Sequence, residues 1–96
     1  MTKADLVSNI SKKTGIKSND VRCTIDLFFE EVQESLKNGE NVYLRGFGSF
    51  ILKKKAEKLG RIIKKNISIR IPAHYVPSFK PSKVFIEDVK TNIPVE

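Results

Sequence analysis

Residues that could carry out catalysis are few in this chain. His74 is the only histidine and Cys23 the only cysteine among 96 residues. A lone cysteine forms neither an intramolecular disulfide nor a cysteine-based metal site, which fits a reducing compartment. The carboxylates of residues 20–34 fall on the solvent side of a predicted helix, interspersed with polar residues, which is typical of a solvated helix face rather than a catalytic pair. We therefore predict that the chain is not an enzyme and that it uses no metal and no cofactor.

The chemistry that the chain does favour is that of a polycation. Its formal net charge is +7 at pH 7, and this charge is unevenly placed. Residues 1–40 contain six basic and seven acidic side chains, whereas residues 41–96 contain twelve basic and four acidic ones. Segment 53–70 alone has eight basic side chains and one acid, Glu57. Such a basic block predicts a polyanionic partner, and a merely solvated face is the alternative.

Two other classes of function find little support. No apolar run approaches the roughly 20 residues that a membrane span needs, and the polar start MTKADLVSN is not a secretory signal. The segment GFGSF superficially resembles a nucleotide-binding glycine loop, but no helix follows it. We expect neither a membrane partner nor a small-molecule substrate.

Two helices are predicted in the first 40 residues. Thr2 can cap the first helix, with Asp5 in the capping-box position, and Gly15 is a natural stop. Ser18 is expected to cap the second helix. Its apolar positions recur at helical spacing as far as residue 36, and it should end at Asn38-Gly39.

The apolar stripe of the second helix is wide for so short a chain. It includes Phe28 and Phe29, and a second copy of the chain would cover it. An alternative is a helix-turn-helix in which this helix enters the major groove of DNA. Its charges argue against that, because residues 20–34 contain five acids and one base, Arg22.

From Glu40 the apolar period changes from helical spacing to two. The segment NVYLRGFGSFIL predicts two strands joined by a tight turn at residues 46–48. Beyond Leu52 both faces become polar, and alternating isoleucines return at residues 67–71. These features predict a protruding hairpin over residues 53–71, with its tip near residues 64–66. The segment VPSFKPSK then leads into a short third helix capped by Ser82.

A ribbon that is basic along both strands can lie in a groove of DNA, where its cations replace counterions on the phosphates. An apolar side chain at its tip can then insert between base pairs and kink the duplex. Ile62 and Ile63 are the candidates near the tip. Cross-strand packing is the favoured role for Ile62, and insertion is the favoured role for Ile63.

At this point the sequence resembles the HU/integration host factor family of bacterial nucleoid proteins. The resemblance covers essentially the whole chain and is strongest in RGFGSF (45–50), GR (60–61) and VPSFKPSK (76–83). It implies an α+β fold: a helical N-terminal pair, a three-stranded antiparallel sheet with a long β-ribbon arm, and a short C-terminal helix. It also implies an intertwined dimer, either a homodimer or a heterodimer with a paralogue.

The resemblance further implies function and location. The dimer would bind double-stranded DNA in the minor groove with two arms and bend it with little sequence specificity, in the nucleoid within the cytoplasm. A basic protein that binds RNA or an anionic surface without bending DNA is the alternative. We expect one domain over residues 1–96, with a helical dimerisation part at 1–40, the sheet and third helix at 41–96, and the arm at about 53–74.

Carried over residue by residue, the family's Gly-Arg-Asn-Pro arm tip places the intercalating wedge at Ile63, where the family has proline. This chain also has Ser82 and Asn66 where the family usually has glycine. The backbone amides at 46–48 and the start of the third helix resemble phosphate clamps. The implied DNA-binding residues are Lys3, Arg45, Gly46, Gly48, Lys53, Lys55, Lys58, Arg61, Ile63, Lys64, Lys65, Arg70, Lys80 and Lys83. The expected dimer core consists of Phe28, Phe29, Val32, Leu36, Phe47, Phe50 and Phe79.

Overall fold

The computed structural model describes residues 1–62 and 67–95, and only the main chain of Ile62. The described elements confirm the predicted α+β class, with a helical pair, a sheet, a ribbon inserted between two strands of that sheet, and a C-terminal helix. They are α1 (Lys3–Thr14), α2 (Ser18–Lys37), β1 (Val42–Leu44), β2 (Gly48–Lys55), β3 (Lys58–Ile62), β4 (Ile67–Ile71), β5 (His74–Pro81) and α3 (Lys83–Asn92).

Helix α1 begins and ends where its capping residues predict. The hydroxyl of Thr2 accepts a hydrogen bond from the amide of Asp5 at 3.3 Å, and the Asp5 carboxylate accepts one from the amide of Thr2 at 2.8 Å. This reciprocal pair is a capping box. At the other end Gly15 has φ of 77° and donates its amide to the carbonyl of Ser11. The left-handed backbone favours glycine there.

Helix α2 begins at Ser18 itself, so its N-cap lies one residue earlier than predicted. Lys17 is the N-cap, and no side chain caps the first turn. The expectation that Ser18 would cap this helix is therefore wrong. The connection from Gly15 is short, so the chain is already helical at Ser18, and the Lys17 carbonyl accepts from the amides of Asp20 and Val21. The helix ends at Lys37, with Asn38 as its C-cap, as predicted.

The three-stranded sheet is antiparallel, in the order β1-β2-β5. A tight turn joins β1 to β2. In it Gly46 has φ of 83°, and the amide of Phe47 donates to the carbonyl of Leu44 at 3.0 Å. The side chain of Asn41 accepts from the amide of Leu52 at 3.0 Å and so extends the pairing beyond the short edge strand.

The arm continues this sheet as a two-stranded ribbon. Strands β2 and β5 pair as far as Lys55 and His74, and β3 and β4 resume the pairing at Lys58 and Ile71. Both strands advance by the same number of residues across the interruption, so no bulge residue is inserted. Side chains on β2 become exposed from residue 53 onward. The predicted point at which this strand leaves the core is confirmed.

The described chain buries very little apolar surface by itself. Its buried hydrophobic residues are Val7, Val21 and Leu36. Phe28 and Phe29, on α2, remain 41% and 44% exposed. Rings at positions 47, 50, 79 and 85 form an aromatic cluster with centroids 5.1–6.4 Å apart. Phe47 and Phe79 in this cluster are still 46% and 38% exposed. So large an open aromatic surface fits the predicted packing against a second chain.

Candidate nucleic-acid interface

A basic cleft lies where the β1–β2 turn meets the start of α3. Its lining includes five residues that the sequence predicted to bind DNA, three cations and two glycines. The other lining residues are Tyr43, Leu44, Ser49, Ile51, Pro81 and Ser82. These five predicted DNA-binding residues are brought together in one place: Arg45, Gly46, Gly48, Lys80 and Lys83. We call the surface lined by these residues the basic cleft.

Ser82 holds the two sides of the basic cleft together. Its hydroxyl donates to the carbonyl of Gly46 at 3.1 Å, and its amide donates to the carbonyl of Phe47 at 3.0 Å. The same hydroxyl accepts from the amide of Phe85 at 3.1 Å and thereby caps α3, as predicted. The turn and the amino end of α3 are thus fixed relative to each other. The positive end of the helix dipole and the neighbouring cations suit an anion such as a phosphate.

The arm presents a second basic surface. Its predicted DNA-binding side chains are exposed and spaced along both strands: Lys53, Lys55, Lys58, Arg61 and Arg70. The guanidinium of Arg70 forms an ion pair with Glu57, and the Arg70 side chain is 77% exposed. One acid therefore partly offsets the charge of the arm near its base.

Lys3 belongs to neither surface in the described residues. Its ammonium group lies 2.8 Å from the Asp26 carboxylate and joins α1 to α2. Both side chains are about half exposed, so solvent weakens this pair and a phosphate could compete for the lysine.

The predictions for Ile63, Lys64 and Lys65, and for the turn at Asn66, lie outside the described residues.

Several features of the interface were not predicted from the sequence. Tyr43 lines the basic cleft and is 73% exposed, and strand alternation from Leu44 could have indicated this. Phe85 joins the aromatic cluster, with its ring centroid 5.5 Å from that of Phe47. No local pattern indicated the ion pair of Arg70 with Glu57.

The described residues contain no cluster of histidine, cysteine, aspartate and glutamate that could hold a metal ion. No described helix is both long and apolar enough to cross a membrane. His74 lies at the start of β5 opposite Lys55, where a ring nitrogen is 3.0 Å from the carbonyl of Pro72. Cys23 is exposed on α2.

A basic ribbon, a basic cleft at a helix amino end and an open aromatic face define a class: architectural nucleic-acid-binding proteins. Comparison with known proteins agrees. The family model described as "Bacterial DNA-binding protein" matches residues 1–90. Integration host factor subunit alpha of Aliivibrio fischeri (strain MJ11) is 42% identical over 96 residues, which is 100% of this chain and 97% of that protein.

Two further relatives support the same assignment. DNA-binding protein HU of Thermus thermophilus is 40% identical over 90 residues, covering 94% of this chain and 93% of that protein. The solved Anabaena HU–DNA cocrystal structure matches with a TM-score of 0.88 and 32% identity, covering 94% of this chain and 98% of that one. This chain therefore belongs to the HU/integration host factor family of bacterial DNA-binding proteins. The family is not enzymatic, which confirms that prediction.

Proposed function

We propose that this chain acts as a dimer that binds double-stranded DNA in the minor groove with its two arms and bends it, with low sequence specificity. The observation that carries the proposal is the exposed basic ribbon. It continues the register of a sheet, and the basic cleft lies at the end of that sheet where the β1–β2 turn meets α3. Family membership supports the DNA-binding, nucleoid-associated and dimeric character. It also supports a place in the nucleoid within the cytoplasm.

The arm and the basic cleft have different roles in DNA binding. Cations of the arm and of the basic cleft contact phosphates, which positions the duplex without reading its bases. The basic cleft anchors the DNA on the body of the dimer, and the arms follow the groove outward. Ile63 at the arm tip then inserts between base pairs. Unstacking one step costs roughly a few kcal/mol, which the added contacts of the bent duplex offset.

The exposed aromatic face is the dimer contact in this proposal. Phe28, Phe29 and the aromatic cluster face a second chain, which is either the same protein or a paralogue. Residues 1–40 supply most of the helical contact and residues 41–96 supply the DNA-binding surfaces, all within one domain. The alternative, a basic protein that binds RNA or an anionic surface without bending DNA, is not favoured by the family.

A bending assay tests the proposal. A short duplex labelled at both ends should show increased energy transfer on addition of the protein, and the same protein should bind single-stranded RNA of equal length less tightly. Binding without any change in energy transfer would contradict the architectural function. The logarithm of affinity should also fall linearly with the logarithm of salt, by roughly 0.9 per phosphate contact.

A further inference from the structure

The only histidine of the chain, His74, lies at the root of the arm. It is the first residue of β5, it is exposed, and it stands opposite Lys55 of β2. Its ring nitrogen Nδ1 lies 3.0 Å from the carbonyl oxygen of Pro72. Because a carbonyl oxygen only accepts hydrogen bonds, Nδ1 carries the proton that this contact requires. In the neutral ring the other nitrogen, Nε2, is then left without a proton and is an acceptor.

The register divides the arm, and the sheet that it continues, into two faces. Side chains of residues paired across antiparallel strands share a face, and successive pairs alternate between faces. Phe50 and Phe79 pair on the face of the aromatic cluster. The face of His74 and Lys55 contains three residues of the basic cleft and three further cations of the arm: Ser49, Ile51, Lys80, Lys53, Arg61 and Arg70. His74 therefore lies on the cationic face that extends outward from the basic cleft.

The charged groups nearest to His74 along both strands are lysines. Lys55 is directly opposite, where paired residues have Cβ atoms about 5 Å apart, and Lys53 is the preceding residue of β2 on the same face. Lys54 pairs with Tyr75, and both belong to the other face. Strands β2 and β5 contain no aspartate and no glutamate. These two strands therefore supply His74 with cationic neighbours and with no anion.

The acid closest to this position along β2 is Glu57, two residues beyond Lys55. Its carboxylate is engaged in the ion pair with Arg70. An anion that binds beside the imidazole of His74 would therefore come from outside the chain. A phosphate of bound DNA is the anion that the proposed function brings to this face.

We propose that His74 and Lys55 form a proton-linked phosphate site at the root of the arm, in which protonated His74 donates a hydrogen bond from Nε2 to a DNA phosphate. The inference rests on the proposed function, because the phosphate belongs to the bound duplex. While Nδ1 donates to Pro72, neutral Nε2 presents a lone pair to the phosphate, and two acceptors repel each other. A proton taken up from solvent converts Nε2 into a charged donor.

The sign of the pH effect follows from this exchange. The complex contains a proton that the free neutral ring lacks, so binding takes up as many as one proton for each arm. Histidine is the side chain type that ordinarily changes its charge between pH 5 and 8, whereas lysine and arginine stay charged there. DNA affinity should therefore increase as the pH falls through this range, and the gain should disappear as the pH rises.

Two substitutions of His74 test the inference. His74→Gln removes the titrating group, and His74→Lys places a permanent cation at the same position. Anisotropy titrations of a short duplex, at fixed ionic strength and with a label insensitive to pH, measure the affinity at about pH 5.5 and about pH 8. Calorimetry in two buffers with different ionisation enthalpies measures the number of protons taken up on binding. Circular dichroism at both pH values checks that each variant is folded.

We expect the unmodified protein to bind roughly fivefold more tightly at the lower pH. Its slope of log affinity against log salt should be steeper there by roughly 0.9 for each arm, because each arm gains a phosphate contact. His74→Gln should lose the pH dependence, the change of slope and the proton uptake. His74→Lys should bind equally tightly at both pH values.

The same pH dependence in His74→Gln would overturn the inference, because another group would then titrate. So would a pH-independent affinity of the unmodified protein. Glu57→Gln distinguishes a DNA phosphate from an internal partner and should keep the pH dependence. Its loss in Glu57→Gln would show that the carboxylate, rather than DNA, holds the protonated ring, and would also overturn the inference. Failure of the unmodified protein to bind duplex DNA at either pH would instead contradict the proposed function.

Discussion

At the scale of single residues, the shape of residue 63 governs how far the proposed arm tip can open a base step. The family's tip pattern has a rigid proline ring there, whereas this chain has isoleucine, which is apolar and whose side chain contains rotatable bonds. Truncation by Ile63→Ala removes most of the side chain and leaves the phosphate contacts unchanged. We therefore expect the bend, measured by energy transfer across a short duplex, to decrease more than the affinity.

Two variants at the tip serve as controls for this prediction. Lys64→Ala should weaken binding while the duplex that remains bound is still bent. Ile63→Pro introduces the residue of the family pattern and should bend DNA at least as strongly as the unmodified chain. A normal bend in Ile63→Ala would show that residue 63 only packs within the arm.

Gly48 is the glycine whose replacement the fold tolerates least. A Cβ at this position would lie 2.6 Å from the carbonyl oxygen of Lys80 and 2.7 Å from the ring of Phe79. The backbone of β5 cannot move without disturbing the pairing of the central strand, so we expect Gly48→Ala to cost about 1–3 kcal/mol. Urea unfolding at one fixed protein concentration measures this, because the stability of a dimer depends on concentration.

The matched control is Gly60→Ala in the arm. Its nearest neighbour is the flexible end of Ile71, at 3.2 Å, which can shift. The control should unfold within about 0.5 kcal/mol of the unmodified chain. Equal destabilisation by the two substitutions would show that the cost comes from losing glycine in a strand rather than from the clash at Gly48.

At the scale of elements, local patterns determined what the sequence could predict. The caps of Thr2, Gly15 and Ser82 depend on residues within four positions, so their signals are visible in the sequence and the structure confirms them. The start of α2 was missed because a short connection, rather than the hydroxyl of Ser18, sets it. The sequence also shows the strands and the turn at 46–48, because the spacing of apolar residues changes there from helical to alternating. The point at which β2 leaves the core is visible as a change from apolar to polar residues.

The geometry of the candidate site depends on contacts between distant segments, which a single sequence does not display. The hydrogen bond from Ser82 to Gly46 and the ion pair of Glu57 with Arg70 join residues of different elements. The division of the arm into two faces follows from the register of β3 with β4, and composition alone cannot supply a register. The individual DNA contacts therefore stay predictions, while the surfaces that would make them are now located.

Glu57 reduces the charge that the arm can offer to DNA. It pairs with Arg70 across the ribbon, and both side chains are at least half exposed. Glu57→Gln removes the competing carboxylate, so Arg70 becomes free to pair with a phosphate. We expect tighter binding at low salt, and a slope of log affinity against log salt that is steeper by roughly 0.9.

The control is Glu87→Gln, which changes an exposed acid on α3 and should leave this slope unchanged. An unaltered slope in Glu57→Gln would mean that Glu57 does not keep Arg70 from the phosphates.

At the scale of the whole molecule, the few buried residues indicate that the stability of this chain depends on formation of the family's dimer. A core of Val7, Val21 and Leu36 is too small for a chain of 96 residues, and the aromatic rings that would enlarge it are open. A second chain would cover these rings and place two arms on one surface. Stability, dimerisation and DNA binding are then linked through one apolar interface, and the unfolding temperature should rise with protein concentration.

Phe29 offers the sharpest test of that linkage. It is 44% exposed, and its ring centroid lies 6.2 Å from that of Phe28 on α2. Loss of a buried phenylalanine costs about 3–5 kcal/mol, and a symmetric interface loses it twice. Phe29→Ala should therefore raise the dimer dissociation constant at least about a hundredfold.

Sedimentation equilibrium measures this constant, and DNA affinity should fall in parallel because one arm alone cannot enclose the duplex. Glu34→Gln, an exposed change on the opposite side of the same helix, should leave the dimer dissociation constant unchanged. If Phe29→Ala stayed dimeric, the exposed face of α2 would not be the dimer contact.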